Sequence, residues 1–189
     1  MKALLAGTAL ALLAGAASAQ ALRDDWCSDV SIRFFVGGAE GDAFGTIVYN
    51  GAVQAAQDTG AQVDYVFSGW QMERMTQQLR EAVAAAPDGI AMMGHPGTAS
   101  IMPLAEQAAA AGIRMMYQNV DVPDVRARFG GGYVGANLQP QGYALGQEAV
   151  RRFGLGAGDT AIVIADWTQE ERVVRERATV QALQDAGLT

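Results

Sequence analysis

The 189-residue sequence has one cysteine, Cys27, and one histidine, His95. A single cysteine excludes an internal disulfide and a thiolate metal cluster. A single histidine without a second ligand at a suitable spacing argues against a metal site. We therefore expect no metal and no cofactor, and no pairing of a nucleophile with a base that would indicate an enzyme.

Basic residues are also few. Thirteen Lys and Arg residues stand against 20 Asp and Glu residues, which gives a formal net charge of −7. Such an acidic chain is a poor binder of nucleic acid. A nucleotide-dependent enzyme is disfavoured as well, because residues 37–41 (Gly-Gly-Ala-Glu-Gly) match neither glycine-rich phosphate-binding pattern. Glu40 within that segment would repel a phosphate.

Long apolar runs are confined to the N-terminus. Residues 3–16 are apolar but too few to span a bilayer, and they follow a positive start at Lys2. Residues 17–19, Ala-Ser-Ala, have the A-x-A form of a cleavage site. We expect residues 1–19 to be a cleaved signal peptide and the mature chain to be periplasmic, with an uncleaved anchor as the alternative.

The rest of the chain alternates short apolar or β-branched runs with segments of helical period. Strands separated by single helices run parallel, which predicts an α/β, doubly wound, three-layer fold. Residues 120–132 interrupt the alternation and are predicted as a loop, and a last helix is predicted at about residues 170–186. The predicted strands are residues 31–36, 62–67, 90–93, 113–117, 133–136 and 160–166.

Ligands of open parallel sheets bind outside the carboxyl ends of the strands. The residues that this rule selects are Asp42, Phe44, Ser68, Trp70, His95, Asn119, Asp121, Asn137, Asp166, Trp167 and Thr168. Carboxylates and amides bond hydroxyl groups, and aromatic rings pack on C–H faces, so this set suits a sugar. It indicates a site that holds a ligand rather than one that transforms it.

Structural roles compete with binding at several of these positions. Asp42 also fits an N-cap of the first helix, and Phe44 begins an apolar stripe that is compatible with a core position. His95 precedes a proline in a loop, where a solvated imidazole is equally ordinary. Trp70 fits a lid over an apolar edge. The sequence leaves both roles open at each position.

Five short motifs follow one another along the chain. They are residues 41–45 (Gly-Asp-Ala-Phe-Gly), 87–90 (Pro-Asp-Gly-Ile), 111–113 (Ala-Gly-Ile), 134–137 (Val-Gly-Ala-Asn) and 175–177 (Arg-Glu-Arg). In this order they resemble the type I periplasmic substrate-binding proteins of sugar ABC importers, the ribose- and galactose-binding group. Gly45 departs from the family by replacing a second aromatic residue, and Ala43 by replacing a proline.

The resemblance implies two similar α/β domains that close over a sugar. Residues 26–136 would be the N-terminal ligand-binding domain and residues 137–189 part of the second domain. Because members of the family are longer, we expect a fragment or a truncated reading frame. The ligand-binding residues predicted from the resemblance and the strand ends together are Asp42, Phe44, Trp70, His95, Asn119, Asn137 and Arg177. Arg177 also fits a surface ion pair within its own helix.

The function implied by the resemblance is capture of a sugar or polyol and its delivery to an ABC permease at the inner membrane, by a monomer. The alternative is a periplasmic sensing partner of a chemoreceptor or a sensor kinase. A sugar-responsive transcription regulator with this fold is disfavoured, because the N-terminus carries an export signal instead of a helix-turn-helix.

Overall fold

The computed structural model describes residues 25–189, so the predicted signal peptide lies outside the described part of the chain. A five-stranded parallel sheet has the strand order β2-β1-β3-β4-β5. Its strands are β1 (Ser31–Phe35), β2 (Gln62–Val66), β3 (Gly89–Met93), β4 (Arg114–Gln118) and β5 (Gly132–Val134). The helices are α1 (Ala43–Thr59), α2 (Met72–Ala84), α3 (Thr98–Ala110), α4 (Pro123–Phe129), α5 (Leu138–Phe153) and α6 (Val174–Asp185).

The strand order contains one reversal of direction. The chain steps outward from β1 to β2, then crosses back to β3 and continues to β4 and β5. Right-handed crossovers place α1 on one face of the sheet and α2, α3 and α4 on the other, in keeping with the contacts of α3 with both α2 and α4. The predicted doubly wound α/β fold is confirmed. The reversal leaves a crevice between the ends of β1 and β3.

The core lies between the sheet and the helices α2, α3 and α4, which cover one of its faces. On α2, Met75, Leu79 and Ala82 are buried at helical spacing, as an amphipathic helix requires. The largest side chains in this core are Tyr117, Phe35, Met75, Leu79, Ile90, Met92, Met93 and Ile101. Within residues 25–189, no helix combines the length and the apolarity needed to cross a membrane.

The segment predicted as a loop at residues 120–132 contains α4, so that prediction is wrong. Pro123 occupies the first turn of α4, where its missing N–H loses nothing. Asp124 lies in the first turn and Arg126 in the last turn, an arrangement that complements the helix dipole. Gly130 then ends the helix with a φ of 78°. The proline starts a helix here rather than interrupting the fold.

The strand predicted at residues 160–166 is not formed, and the last helix begins at Val174 rather than near residue 170. Ile162 and Ile164 are 84% and 89% exposed. A strand is defined by its hydrogen bonds to a neighbour, and the described part of the chain places no strand beside this segment. The apolar alternation is present, but among residues 25–189 only Thr189 bonds the backbone beside it, at Asp159 and Ala161.

Candidate functional site

A cleft of about 430 Å³ lies outside the carboxyl ends of β1, β2, β3 and β4, at the reversal of the strand order. One side consists of residues that follow the strands, and the other of the segment that leads into α6. Its lining residues are Phe44, Trp70, Met72, His95, Asn119, Ile164, Ala165, Asp166, Gln169, Arg172, Val173 and Glu176. Four of the predicted ligand-binding residues, Phe44, Trp70, His95 and Asn119, are thus brought together.

Three of these residues form a row of rings. The ring centroid of Phe44 lies 5.9 Å from that of Trp70, and the centroid of Trp70 lies 5.5 Å from that of His95. Phe44 remains 47% exposed, so it is not a core residue. The row presents aromatic surface of the kind on which the C–H faces of a ligand pack.

Trp70 is held in an uncommon backbone conformation. Its φ is +60°, and a bulky residue rarely adopts the left-handed region without support from its surroundings. Gly37, with a φ of +91°, allows the indole to approach the end of β1, because a Cβ there would come within 2.7 Å of a Trp70 ring carbon. Asn119, which also lines the cleft, has a φ of +60°. Such strained positions cluster at binding sites.

Asp42 lies behind this row and not on the cleft surface. Its Oδ1 accepts a hydrogen bond from the Gly45 N–H at 2.6 Å and caps α1. Its Oδ2 accepts a hydrogen bond from Trp70 Nε1 at 3.3 Å. The capping role that the sequence left open is therefore present, and Asp42 also fixes the edge of the Trp70 ring.

His95 is mostly buried between Trp70 and the opposite side of the cleft. Burial, followed by the nearby positive charge of Arg172, lowers the pKa of His95 to about 4. Its Nδ1 is buried without a hydrogen-bond partner among residues 25–189. At ordinary pH His95 is therefore a neutral imidazole, with one N–H donor and one acceptor nitrogen.

The facing side of the cleft carries four polar residues, Asp166, Gln169, Arg172 and Glu176, beside the apolar Ile164, Ala165 and Val173. Asp166 accepts hydrogen bonds from Thr168 Oγ1 and Gln169 Nε2, each at 2.6 Å, and the bonds from these two residues lower the pKa of Asp166. Arg172 Nη1 lies 3.2 Å from Glu176 Oε1. Within the described residues, no group of three or more His, Cys, Asp or Glu side chains is arranged to hold a metal ion.

The other two predicted residues lie elsewhere. Asn137 lines an adjoining cavity with Tyr133 and Glu171, on the far side of the end of β4. Arg177 points its guanidinium at Trp167, 6.0 Å from the ring centroid. Neither residue lines the cleft that contains the aromatic row.

Glu171 joins the segment before α6 to the first part of the chain. Its Oε1 accepts a hydrogen bond from the Thr98 N–H at 2.9 Å. Gly97, the residue before α3, has no side chain with which to cap that helix, so Glu171 supplies the missing acceptor. A carboxylate at this position also complements the helix dipole.

Gln169, Arg172 and Glu176 were missed by the sequence analysis. They follow residues 160–166, which were predicted as a strand. The end of that segment, Asp166, was already among the residues selected for the site. The four-residue spacing of Arg172 and Glu176 places both on one side of a helical turn. That spacing was the signal that could have identified them. The motif at residues 175–177 led to the prediction of Arg177 instead.

Solved structures of sugar-binding proteins are similar to this chain. One is an ABC transporter solute-binding protein from Burkholderia graminis C4D1M in complex with D-arabinose, with a TM-score of 0.73 and 20% identity over 86% of this chain and 55% of that one. A glucose-galactose binding protein from Geobacillus stearothermophilus gives 0.72 and 22% over 85% and 56%. A carbohydrate transporter from Acidothermus cellulolyticus 11B in complex with myo-inositol gives 0.69 and 25% over 85% and 54%.

The chain therefore spans about half the length of these structures. A comparison with curated proteins gives no match. The shared fold is that of the substrate-binding proteins of sugar ABC transporters, as the resemblance implied. The family model of the periplasmic binding protein domain matches residues 32–189, most of the described chain. The chain belongs to the periplasmic binding protein domain family.

Proposed function

We propose that this protein binds a small polyhydroxylated solute, a sugar or polyol, in the cleft and delivers it to the permease of an ABC importer at the inner membrane. The observation that carries the proposal is the row of Phe44, Trp70 and His95 facing the polar residues Asp166 and Gln169 across one cavity. A sugar has apolar C–H faces and a rim of hydroxyls, and these two sides of the cleft complement both.

The relatives support this choice of ligand. The structure from Acidothermus cellulolyticus, at 25% identity, holds myo-inositol, and the one from Burkholderia graminis holds D-arabinose. Both ligands are rings or chains of carbon bearing several hydroxyls. The cavity of about 430 Å³ is large enough for a solute of that size.

The proposal extends to location and organisation. Residues 1–19 direct export to the periplasm, residues 26–136 form the N-terminal ligand-binding domain, and residues 137–189 belong to a second domain. The protein acts as a monomer and performs no reaction, since capture and release need only a difference in affinity between open and closed forms.

The predicted residues take different parts in this site. Phe44 and Trp70 stack on the ligand, while His95 and Asn119 bond its oxygens. Asp42 acts on the ligand through Trp70, whose ring it holds. As ligand contacts, Asn137 and Arg177 stay predictions, because they lie beside the cleft and not on it.

Calorimetry of the full-length chain against a panel of sugars and polyols tests the proposal. We expect at least one neutral member to bind, and Trp70→Ala to weaken that binding by about tenfold, the equivalent of 1.4 kcal/mol. Tyr143→Phe is the matched control, because Tyr143 bonds Asp185 on the α5–α6 surface outside the cleft. Equal affinity of the wild-type chain and Trp70→Ala for every binding solute would refute the site.

A further inference from the structure

The charged residues of the cleft are unevenly balanced. Among its lining residues, Arg172 carries the one positive charge, while Asp166 and Glu176 carry negative charges. His95 adds none, since burial keeps its ring neutral at ordinary pH. The cleft thus carries one more negative than positive charge.

Arg172 is also already paired. Its Nη1 donates to Glu176 Oε1 at 3.2 Å and lies 3.4 Å from Oε2. The Arg172 side chain is 38% exposed and that of Glu176 only 20%, so the pair is partly withdrawn from solvent. Glu176 lies in the first turn of α6, where the helix dipole favours a carboxylate. The helix dipole therefore stabilises the Glu176 carboxylate that pairs with Arg172.

The second carboxylate has its own partners. Asp166 receives hydrogen bonds from Thr168 and Gln169, and these lower its pKa. It therefore stays ionised and does not depend on Arg172. A third carboxylate near the cleft, that of Glu171, is engaged by the N-terminus of α3. Because Asp166 and Glu171 are bonded to other groups, Glu176 is the carboxylate that pairs with the Arg172 guanidinium.

We propose that Glu176 is a specificity-determining residue, which neutralises Arg172 and so makes the cleft select uncharged sugars and polyols over sugar acids. This inference rests on the proposed function and names the class of solute. A carboxylate on the ligand must displace Glu176 from Arg172 while facing Asp166, and both effects oppose binding. A hydroxyl can instead donate to Glu176 and accept from Arg172 without breaking the pair.

The test compares matched neutral and acidic probes on the full-length chain at pH 7 by calorimetry. The probes are D-galactose with D-galacturonate, D-glucose with D-glucuronate, D-arabinose with D-arabinonate, and myo-inositol as a further neutral solute. We expect the neutral member of a binding pair to bind at least about tenfold more tightly than its acid.

Glu176→Gln keeps an oxygen acceptor for Arg172 and removes the charge. We expect it to reduce the preference for the neutral member by about tenfold. Glu148→Gln is the matched control, because Glu148 pairs with Arg151 and Arg152 on the exposed surface of α5. That control changes the net charge equally and should leave the preference unchanged. Arg172→Gln, a second variant, removes the one positive charge among the lining residues. It should therefore increase the preference for the neutral member of a pair.

The outcomes separate the two proposals. Tighter binding of an acid by the wild-type chain, or an unchanged preference in folded Glu176→Gln, overturns this inference and leaves the proposed function standing. If Glu176→Gln does not fold, an unchanged or narrower preference in Arg172→Gln overturns it. Failure of every neutral and acidic probe to bind contradicts the proposed function itself.

Discussion

Asp42 holds Trp70: the carboxylate Oδ2 accepts a hydrogen bond from the indole Nε1 at 3.3 Å. The other oxygen of the same carboxylate caps α1 through the Gly45 N–H. One side chain thus connects the start of a helix to the central ring of the cleft. Because both oxygens have partners within the protein, Asp42 shapes the binding surface from behind.

Substitution of Asp42 should therefore change stability as well as binding. We expect Asp42→Ala to lower the free energy of unfolding by about 1 kcal/mol, the usual effect of losing a helix N-cap. Asp42→Asn keeps an acceptor for Gly45 and should lie within about 0.5 kcal/mol of the wild type. Urea denaturation measures both. Wild-type stability in Asp42→Ala together with lost ligand binding would show direct contact with the ligand instead.

The fold was largely predictable from the sequence because each strand carries its own signal. Phe35, Ile90 and Met92 lie in apolar runs bounded by turn residues, and their burial follows from that pattern. The prediction of a strand at residues 160–166 was wrong, for a reason that a local pattern does not show. Ile162 and Ile164 alternate as in a strand, yet strand formation requires a neighbour to supply the hydrogen bonds.

The site was predictable only where residues follow directly on a strand. Phe44, Trp70, His95 and Asn119 leave the ends of successive strands, and the rule of carboxyl ends brings them together. Arg172 belongs to an irregular segment and Glu176 to the first turn of α6 that follows it. The path of that segment depends on tertiary contacts such as that of Glu171 with Thr98. The sequence does not give the path of that segment, and Arg177 was predicted instead because residues 175–177 resemble a family motif.

His95 makes stability depend on pH in a defined window. Its pKa is about 4 in the folded protein against an ordinary value of 6.5, so between these values the unfolded chain binds the proton and the folded chain does not. Stability is therefore full above about pH 6.5 and decreases as the pH falls towards 4, by up to about 3 kcal/mol.

His95→Gln should remove that slope between pH 6.5 and 4.5, which thermal or urea unfolding at a series of pH values can measure. The assignment is unambiguous, because the sequence contains one histidine. Its imidazole resonance in NMR spectra should titrate well below pH 6. Titration near pH 6.5 would contradict the burial of His95 in the cleft.

Glu171 should stabilise the contact between the segment before α6 and α3. Glu171→Ala leaves the Thr98 N–H without its acceptor, and we expect a loss of about 1 kcal/mol in the free energy of unfolding. Glu171→Gln retains an acceptor but no charge, so its effect should be smaller. The neighbouring Glu170→Ala serves as the control in the same denaturation experiment. Equal stability of Glu171→Ala and Glu170→Ala would contradict the capping role.

The close packing of α5 on α6 depends on Gly142. A Cβ at Gly142 would overlap the carbonyl oxygen of Arg175, which is backbone and cannot rotate away. Thr179 of α6 also donates its hydroxyl to the Gly142 carbonyl at 2.9 Å, and any separation of the helices would break this bond. We expect Gly142→Ala to destabilise the protein by about 1–3 kcal/mol, the usual range for overpacking.

Gly51→Ala provides the matched control for this prediction. Gly51 lies in the interior of α1, and a Cβ there has no neighbouring atom within 4 Å. The same substitution should raise stability at Gly51 by about 0.5–1 kcal/mol, because alanine favours the helix over glycine. The two variants are thus expected to shift the urea midpoint in opposite directions. An unchanged or higher urea midpoint for Gly142→Ala would show that α5 and α6 can separate without loss, and that their close approach does not stabilise the protein.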